Sequence, residues 1–200
     1  MIPLSTMANR MTSLDTLQDS LRTRLVTRPE YQPRVDAELA AVLVPILLAE
    51  PGPRVVFTKR TDTLSRHAGE ISFPGGLSDP GEPVAATALR EAQEELGLRP
   101  SDVELLGALP AVHTRVTGIL IVPFVGLLHR DPAFTPNAAE IADVLEFSLA
   151  DLIAAGAERE FEHNGARFQT FVFEMDGHVI WGATARILES LVDVLRSAEN

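Results

Sequence analysis

"GGLSDPGEPVAATALREAQEELGL", residues 75–98, opens on two glycines and closes on a helix that stacks Glu91, Glu94 and Glu95 on one face. Positions i, i+3 and i+4 are neighbours on an α-helix, and like charges at those spacings cost roughly 0.2–0.5 kcal/mol per pair. Arg90, four residues before Glu94, relieves part of that cost, so a solvated acidic face is one reading. The context argues against it. Pro74-Gly75-Gly76 and Asp79-Pro80-Gly81 break the chain twice ahead of the helix. The chain therefore passes from a strand through a tight loop into a helix over 83–96, with Gly97 as its stop. Glycines let backbone carbonyls approach a bound ion closely. A loop carbonyl with several carboxylates is an all-oxygen donor set, the preference of Mg²⁺ and Mn²⁺. One Mg²⁺ usually takes one or two carboxylates, so three glutamates point to more than one ion, or to two ligands and a general base.

The rest of the chain bounds the alternatives. Its 200 residues, 46% of them hydrophobic, suit one domain with a sizeable core plus an appended piece. We divide it into an N-terminal helical extension and linker, 1–34, and a main domain, 35–200. The net charge of −11 argues against nucleic acid and anionic membranes as partners and leaves a small-molecule substrate. An anionic substrate then needs metal ions or a local basic patch. The absence of cysteine excludes disulfides, thiolate metal sites and cysteine nucleophiles. The start of the chain lacks the pattern of a signal peptide, and the apolar runs Leu39–Ala49 and Ile119–Leu128 fall short of the ~20 residues that span a bilayer. A cytoplasmic protein is expected; the oligomeric state is left open.

Hydrophobic periodicity predicts a mixed pattern. Leu14, Leu17, Leu21 and Leu25 mark an amphipathic helix over 10–27. Residues 39–49 lean towards strand, although Pro45 speaks against a single central one. "RVVFTKR", "EISF", "VELLGALPAV", "GILIVPFVGLLHR" and "ADVLEFSL" read as strands, the last leading into a short helix near Asp151–Ala155. "RFQTFVFEMDGHVIWG" reads as a hairpin turning at Asp176-Gly177, and a terminal helix buries Ile187, Leu191, Val194 and Leu195. Strands and helices that do not strictly alternate imply an α/β fold of the α+β type, helices packed on a mixed sheet.

Gly76, Glu82, Arg90, Glu91, Glu94, Glu95, Gly97 and Leu98 stand at the spacing of the Nudix box, and the stretch resembles that of the Nudix hydrolases. The one soft departure is Ala92, where a larger aliphatic is common. The resemblance implies a Nudix-like α/β/α sandwich with a loop–helix–loop metal site, and hydrolysis of a nucleoside diphosphate linked to a further group. It implies Glu91 and Glu95 as principal Mg²⁺ or Mn²⁺ ligands, Glu94 as a further ligand or the base, and the Gly75 carbonyl as another ligand. Glu82 and Arg90 resemble the pair that braces loop against helix, with Gly76 and Gly97 as its turning points. We group Arg90 with the catalytic residues, together with Glu94 and Glu140. Glu140 is a second candidate base because relatives often draw an acid from a loop after the box.

Val56-Phe57-Thr58-Lys59-Arg60-Thr61, Gly69 and Phe73-Pro74-Gly75-Gly76 resemble a second motif, that of the coenzyme A pyrophosphatases. The motif's middle arginine falls on Ser65, with Arg66 one place later. The resemblance implies the products 3′,5′-ADP and 4′-phosphopantetheine. Independently, Lys59, Arg60, Arg66 and His67 cluster before the acidic helix, where phosphates need cations. His113 and Arg115 fall at a strand end; ordinary loop residues are expected there. Two rival readings are a Nudix pyrophosphatase for ADP-ribose or a dinucleotide, and a non-catalytic Nudix-fold binding protein. The second leaves all four box glutamates unexplained.

Overall fold

The computed structural model describes residues 14–25, 38–62, 69–114, 118–163 and 165–196. The sheet is built around β1 (Leu39–Leu47), an almost wholly apolar strand buried on both faces. Continuous apolar sequence of this kind is what a strand covered from both sides requires. β7 (Leu120–Leu128) runs parallel to it, from Leu39↔Leu120 to Leu47↔Leu128. On the other edge β2 (Arg54–Arg60) pairs with β1 only at Ile46↔Val55 and Leu47↔Arg54, after which the two strands splay. Residues 71–77 fill the wedge between them. β3 (Ile71–Ser72) pairs with β2, and β4 (Gly75–Leu77) pairs with β1 at Ala40–Val42. β8 (Ile141–Ser148) covers the far edge of β2, while β5 (Glu104–Ala108) and β6 (Val112–His113) share the outer edge of β7.

Pro45 does not break β1, and the expectation against one central strand is corrected. The Leu43 amide donates to the Pro74 carbonyl, and strand alternation turns the nitrogen of Pro45 to the same side. There it falls after the β4 pairing ends and before the β2 pairing begins at Ile46, where no partner needs a donor. Pro123 in β7 uses the same device, lying between the β5 and β6 pairings.

Alternation sends the two faces of β1 into two cores. Ala41, Leu43 and Leu47 meet α2 (Val84–Leu96) through Ala88, Ala92 and Leu96. Val44 and Ile46 face the opposite core. That core takes Leu17, Leu21 and Leu25 from α1 (Leu14–Arg24) and its end, Leu152 and Ile153 from α3 (Leu149–Ala155), and Ile187, Leu188, Leu191 and Leu195 from α4 (Gly182–Arg196). Helices on both faces of a mixed sheet make the expected α/β/α sandwich.

A smaller antiparallel sheet joins β9 (Gly156–His163), β10 (Ala166–Met175) and β11 (His178–Ile180). Its turn is the expected one: Asp176 (φ 48°) and Gly177 (φ 79°) are both left-handed, which suits a two-residue hairpin. β9 is not foreseen from sequence. Its charged stretch "EREFE" lies within an unbroken pairing with β10, from Gly156↔Phe173 to His163↔Ala166, and carries exposed cross-strand ion pairs, Arg159–Glu174 at 3.0 Å and Arg167–Glu162 at 2.7 Å, in place of an apolar stripe.

Candidate active site

The wedge strand β4 delivers the chain directly to α2, and Glu82 ties the loop between them. Its carboxylate accepts the Asp79 amide at 3.2 Å, the Thr87 hydroxyl at 2.7 Å, Arg90 Nε at 2.9 Å and Arg90 Nη2 at 3.1 Å. These donors, Arg90 first and Thr87 next, lower its pKa to about 2. Arg90 also donates to Glu91 Oε1 at 2.8 Å, Glu94 Oε2 at 3.3 Å and the Leu77 carbonyl at 3.2 Å. All three guanidinium nitrogens are thereby engaged, and Arg90 clasps the loop to the helix. Thr87 is fully buried, and its hydroxyl lies 2.9 Å from Ser78 Oγ.

The two glycines make room for this contact. A Cβ on Gly75 would overlap the Ala41 carbonyl and stand 2.6 Å from Val42 Cγ1, so only glycine lets β4 lie this close to β1. A Cβ on Gly76 would stand 2.6 Å from Glu91 Cδ and Oε1. Gly76 therefore leaves the space that the Glu91 carboxylate occupies. At the other end of α2, Gly97 (φ 68°) gives the left-handed stop.

Glu95 is buried, with 5% of its surface exposed. It accepts the Gly75 amide at 3.3 Å and has Arg60 Nη1 at 3.6 Å. Burial raises its carboxyl to about 7; Arg60 and the Gly75 amide pull the other way, while the charges of Glu91 and Glu140 push further up. Glu91 is raised as well, again by burial first, against the pull of Arg90. In both, the cost of burying the charge outweighs the nearby arginine.

Glu140 approaches from the other side. Its carboxylate lies 3.8 Å from Arg60 Nη2, and its carbonyl accepts the Thr61 amide at 2.9 Å. The loop that carries it is strung on the C-terminus of α2: the Thr135 amide donates to the Leu96 carbonyl at 2.8 Å and the Asn137 amide to the Glu95 carbonyl at 2.9 Å. Helix ends leave such carbonyls without intrahelical partners. The loop that satisfies them thus brings Glu140 towards the helix bearing Glu91, Glu94 and Glu95. Asn137 Oδ1 also accepts the Ala139 amide at 3.2 Å, which shapes the turn into Glu140.

The fold gathers Glu82, Arg90, Glu91, Glu94, Glu95, Gly75, Gly76, Arg60 and Glu140 in one place. Glu94 is the exposed member of the helix trio, with a side chain 58% exposed. Lys59 does not join them: alternation puts it on the Phe57 face of β2, opposite Arg60. Arg66, His67, Ser65 and Arg115 lie outside the described residues. His129 pairs with Glu104 at 2.6 Å and His178 packs 6.1 Å from the Phe147 ring, each in another setting. Among the described residues, no three acidic or histidine side chains converge closely enough to form a ready-made metal cluster; Glu95 is paired with Arg60 and Glu91 with Arg90. Sequence reading misses Thr87, Ser78 and Asn137. A mid-helix threonine and an asparagine in a proline-flanked loop carry no signal until their partners are known.

Comparison with known proteins gives the family and the fold. The NUDIX domain profile matches residues 38–167. The chain is 35% identical over 173 residues to the uncharacterized Nudix hydrolase NudL of Pectobacterium atrosepticum, covering 85% of this chain and 89% of that protein. It is 34% identical over 180 residues to the NudL of Escherichia coli O7:K1, covering 88% and 93%. Among solved structures, a MutT/nudix family protein from Enterococcus faecalis superposes with a TM-score of 0.54 at 15% identity, covering 94% of this chain and 72% of that one. The acidic helix, its glycine joint and the domain around them place the chain in the Nudix hydrolase family.

Proposed function

We propose that the protein is a Mg²⁺- or Mn²⁺-dependent pyrophosphatase that cleaves the diphosphate of coenzyme A, or of a close derivative, to 3′,5′-ADP and 4′-phosphopantetheine, acting in the cytoplasm. One observation carries the reading. The first part of the coenzyme A-type motif lies on β2, which ends at Arg60, its last part "FPGG" runs from β3 into β4, and Arg60 stands 3.6 Å from Glu95. A residue of the substrate-type motif and one of the cleavage motif thus share one site.

The donor set fits a divalent cation. Glu91 and Glu95 are all-oxygen donors, buried enough to raise both carboxyls, and they flank a glycine whose Cβ would fill the space beside Glu91. Glu91 and Glu95 would hold the ion, with Glu94 and the Gly75 carbonyl as further donors. The ion supplies charge neutralisation for the diphosphate oxygens and for the charge that develops on cleavage. The remaining steps fall to the chain. Arg60 contacts the diphosphate, as guanidinium suits bidentate phosphate binding. Arg66 and His67 are assigned to the rest of the substrate. Glu140, facing Glu95 across Arg60, takes the proton of the attacking water, so that water adds to one phosphorus and the other phosphate leaves as a monoester. Arg90 and Glu82 hold the helix carboxylates in position.

The test is a hydrolysis screen with Mg²⁺, comparing coenzyme A, 3′-dephospho-coenzyme A and ADP-ribose at equal concentration with product identification. Coenzyme A should be the best of the three. Faster turnover of ADP-ribose would move the substrate assignment and leave the metal site standing; no turnover of any of them in the presence of Mg²⁺ or Mn²⁺ would remove the pyrophosphatase reading for this substrate class.

A further inference from the structure

Arg60 and Arg90 are both paired with glutamates of one site, but with different ones and in different ways. Arg90 makes contacts of 2.8–3.3 Å with Glu82, Glu91, Glu94 and the Leu77 carbonyl. Arg60 stands 3.6 Å from Glu95 and 3.8 Å from Glu140, distances of ion pairing rather than of directed hydrogen bonds. Its backbone, in contrast, is pinned. The Arg60 amide donates to the Glu70 carbonyl at 3.0 Å and the next amide, of Thr61, to the Glu140 carbonyl. The pairing passes from Lys59↔Asp143 to Arg60↔Ile141, so the extra residue belongs to β8 and β2 keeps its alternation, which puts Arg60 on the side of Val56, the side that faces α2. The result is a fixed root and a guanidinium, a quarter exposed, that among the described residues stands at ion-pair distance from a buried carboxylate and from one that is half-exposed.

We propose that Arg60 is an exchange cation: it neutralises Glu95 and Glu140 while no divalent ion is bound, and the ion, on taking Glu95, releases the guanidinium to the substrate diphosphate. This rests on the metal-dependent reading above. A dication beside Glu95 repels a guanidinium at this range, and it satisfies the carboxylate with two charges where Arg60 supplies one. A diphosphate entering at that moment brings the anion that the freed guanidinium lacks. Arg60 would then lower the affinity for the metal alone and raise it for the substrate, two effects of opposite sign from one side chain.

The test measures the two separately. Mn²⁺ binding without substrate is followed by electron paramagnetic resonance, with the KM for coenzyme A measured at saturating Mn²⁺, in the wild type, Arg60→Gln and Arg60→Lys. Arg60→Gln should bind Mn²⁺ about fivefold more tightly, the size of one partly buried ion pair, while its KM rises about tenfold or more, as for a lost charge-assisted phosphate contact. Its metal-free melting temperature should drop, and saturating Mn²⁺ should bring it level with the wild type. Arg60→Lys, keeping the charge, should bind Mn²⁺ like the wild type while still losing part of its substrate affinity. Unchanged or weaker Mn²⁺ binding in Arg60→Gln would overturn the exchange role alone. A wild type that binds no Mn²⁺ would overturn the metal site and this proposal with it.

Discussion

Burial pushes Glu95 above the ordinary carboxylate range, and the hydrogen bonds of Arg90 and Thr87 hold Glu82 below it, although the two belong to one motif. Glu95, raised from 4.5 to about 7, holds its proton more tightly in the folded protein than in the unfolded one. Its contribution to stability is therefore complete below pH 4.5 and is lost as the pH rises through 7, a change on the order of 3 kcal/mol. The metal-free protein should lose melting temperature over that window, and Glu95→Gln should remove this part of the profile. Because only the ionised carboxylate is a ligand, Mn²⁺ affinity should climb with pH until about 7; a flat titration would take Glu95 out of the metal site. Glu82, lowered from 4.5 to about 2, behaves the other way: its stability is present above 4.5 and is lost as the pH falls through 2. Glu82→Gln should flatten the acid limb and leave the neutral limb intact. For Glu140, exchange to Gln should cut kcat by about 10²-fold or more with Mn²⁺ affinity kept near the wild-type value; near-normal turnover would remove it as the base. The helix residues of the site could be read in the sequence because their function imposes a fixed spacing on one short segment. The pairing of Arg60 with Glu140 could not, because the long stretch between them carries no record of which loop folds back on which strand end.

Elements tell the same story through their boundaries. β4 exists because two glycines permit it, and each does a different job. Gly75→Ala drives a Cβ into the backbone of β1, which cannot move without breaking its pairing with β7; this variant should lose about 2 kcal/mol or more of stability, read as a fall in denaturation midpoint. Gly76→Ala meets only the end of the Glu91 side chain, which can turn away. It should fold with a near-normal melting temperature and lose Mn²⁺ affinity instead, a split that calorimetry resolves. Equal loss of stability in both would deny Gly76 its separate role. Most strands and helices were legible from apolar periodicity. The exceptions have physical causes. Pro45 looks like a strand breaker until the wedge between β1 and β2 shows that its missing amide has no partner to lose. β9 carries charge where a buried strand would carry apolar residues, and only its pairing with β10 supplies the opposite charges.

At the scale of the molecule, the sheet separates two tasks. The α2 face carries the acidic site over a core in which the helix contributes the small Ala88 and Ala92, with Leu43, Leu47 and Phe124 packed around them. The opposite face carries the larger apolar mass, and it recruits α1, whose Leu17 and Leu21 are almost wholly buried against the α4 side. Arg22 fastens the same helix to Glu104 at 2.7 Å, but that pair is exposed and contributes little beside the leucines. The sequence shows the amphipathic stripe of α1 clearly; what it does not show is which face of which sheet the stripe covers, since any apolar face would accept it. Mutations on the two sides should therefore be separable. Leu21→Ala leaves a cavity in the α4-side core and should cost about 2–5 kcal/mol. Its centre lies across the sheet from Glu91 and Glu95, with no shared partner, so Mn²⁺ affinity at a temperature where the variant is folded should stay within about twofold of the wild type. A matching loss of metal affinity would mean that the two cores are coupled through β1, and that α1 helps to shape the site as well as to stabilise the fold.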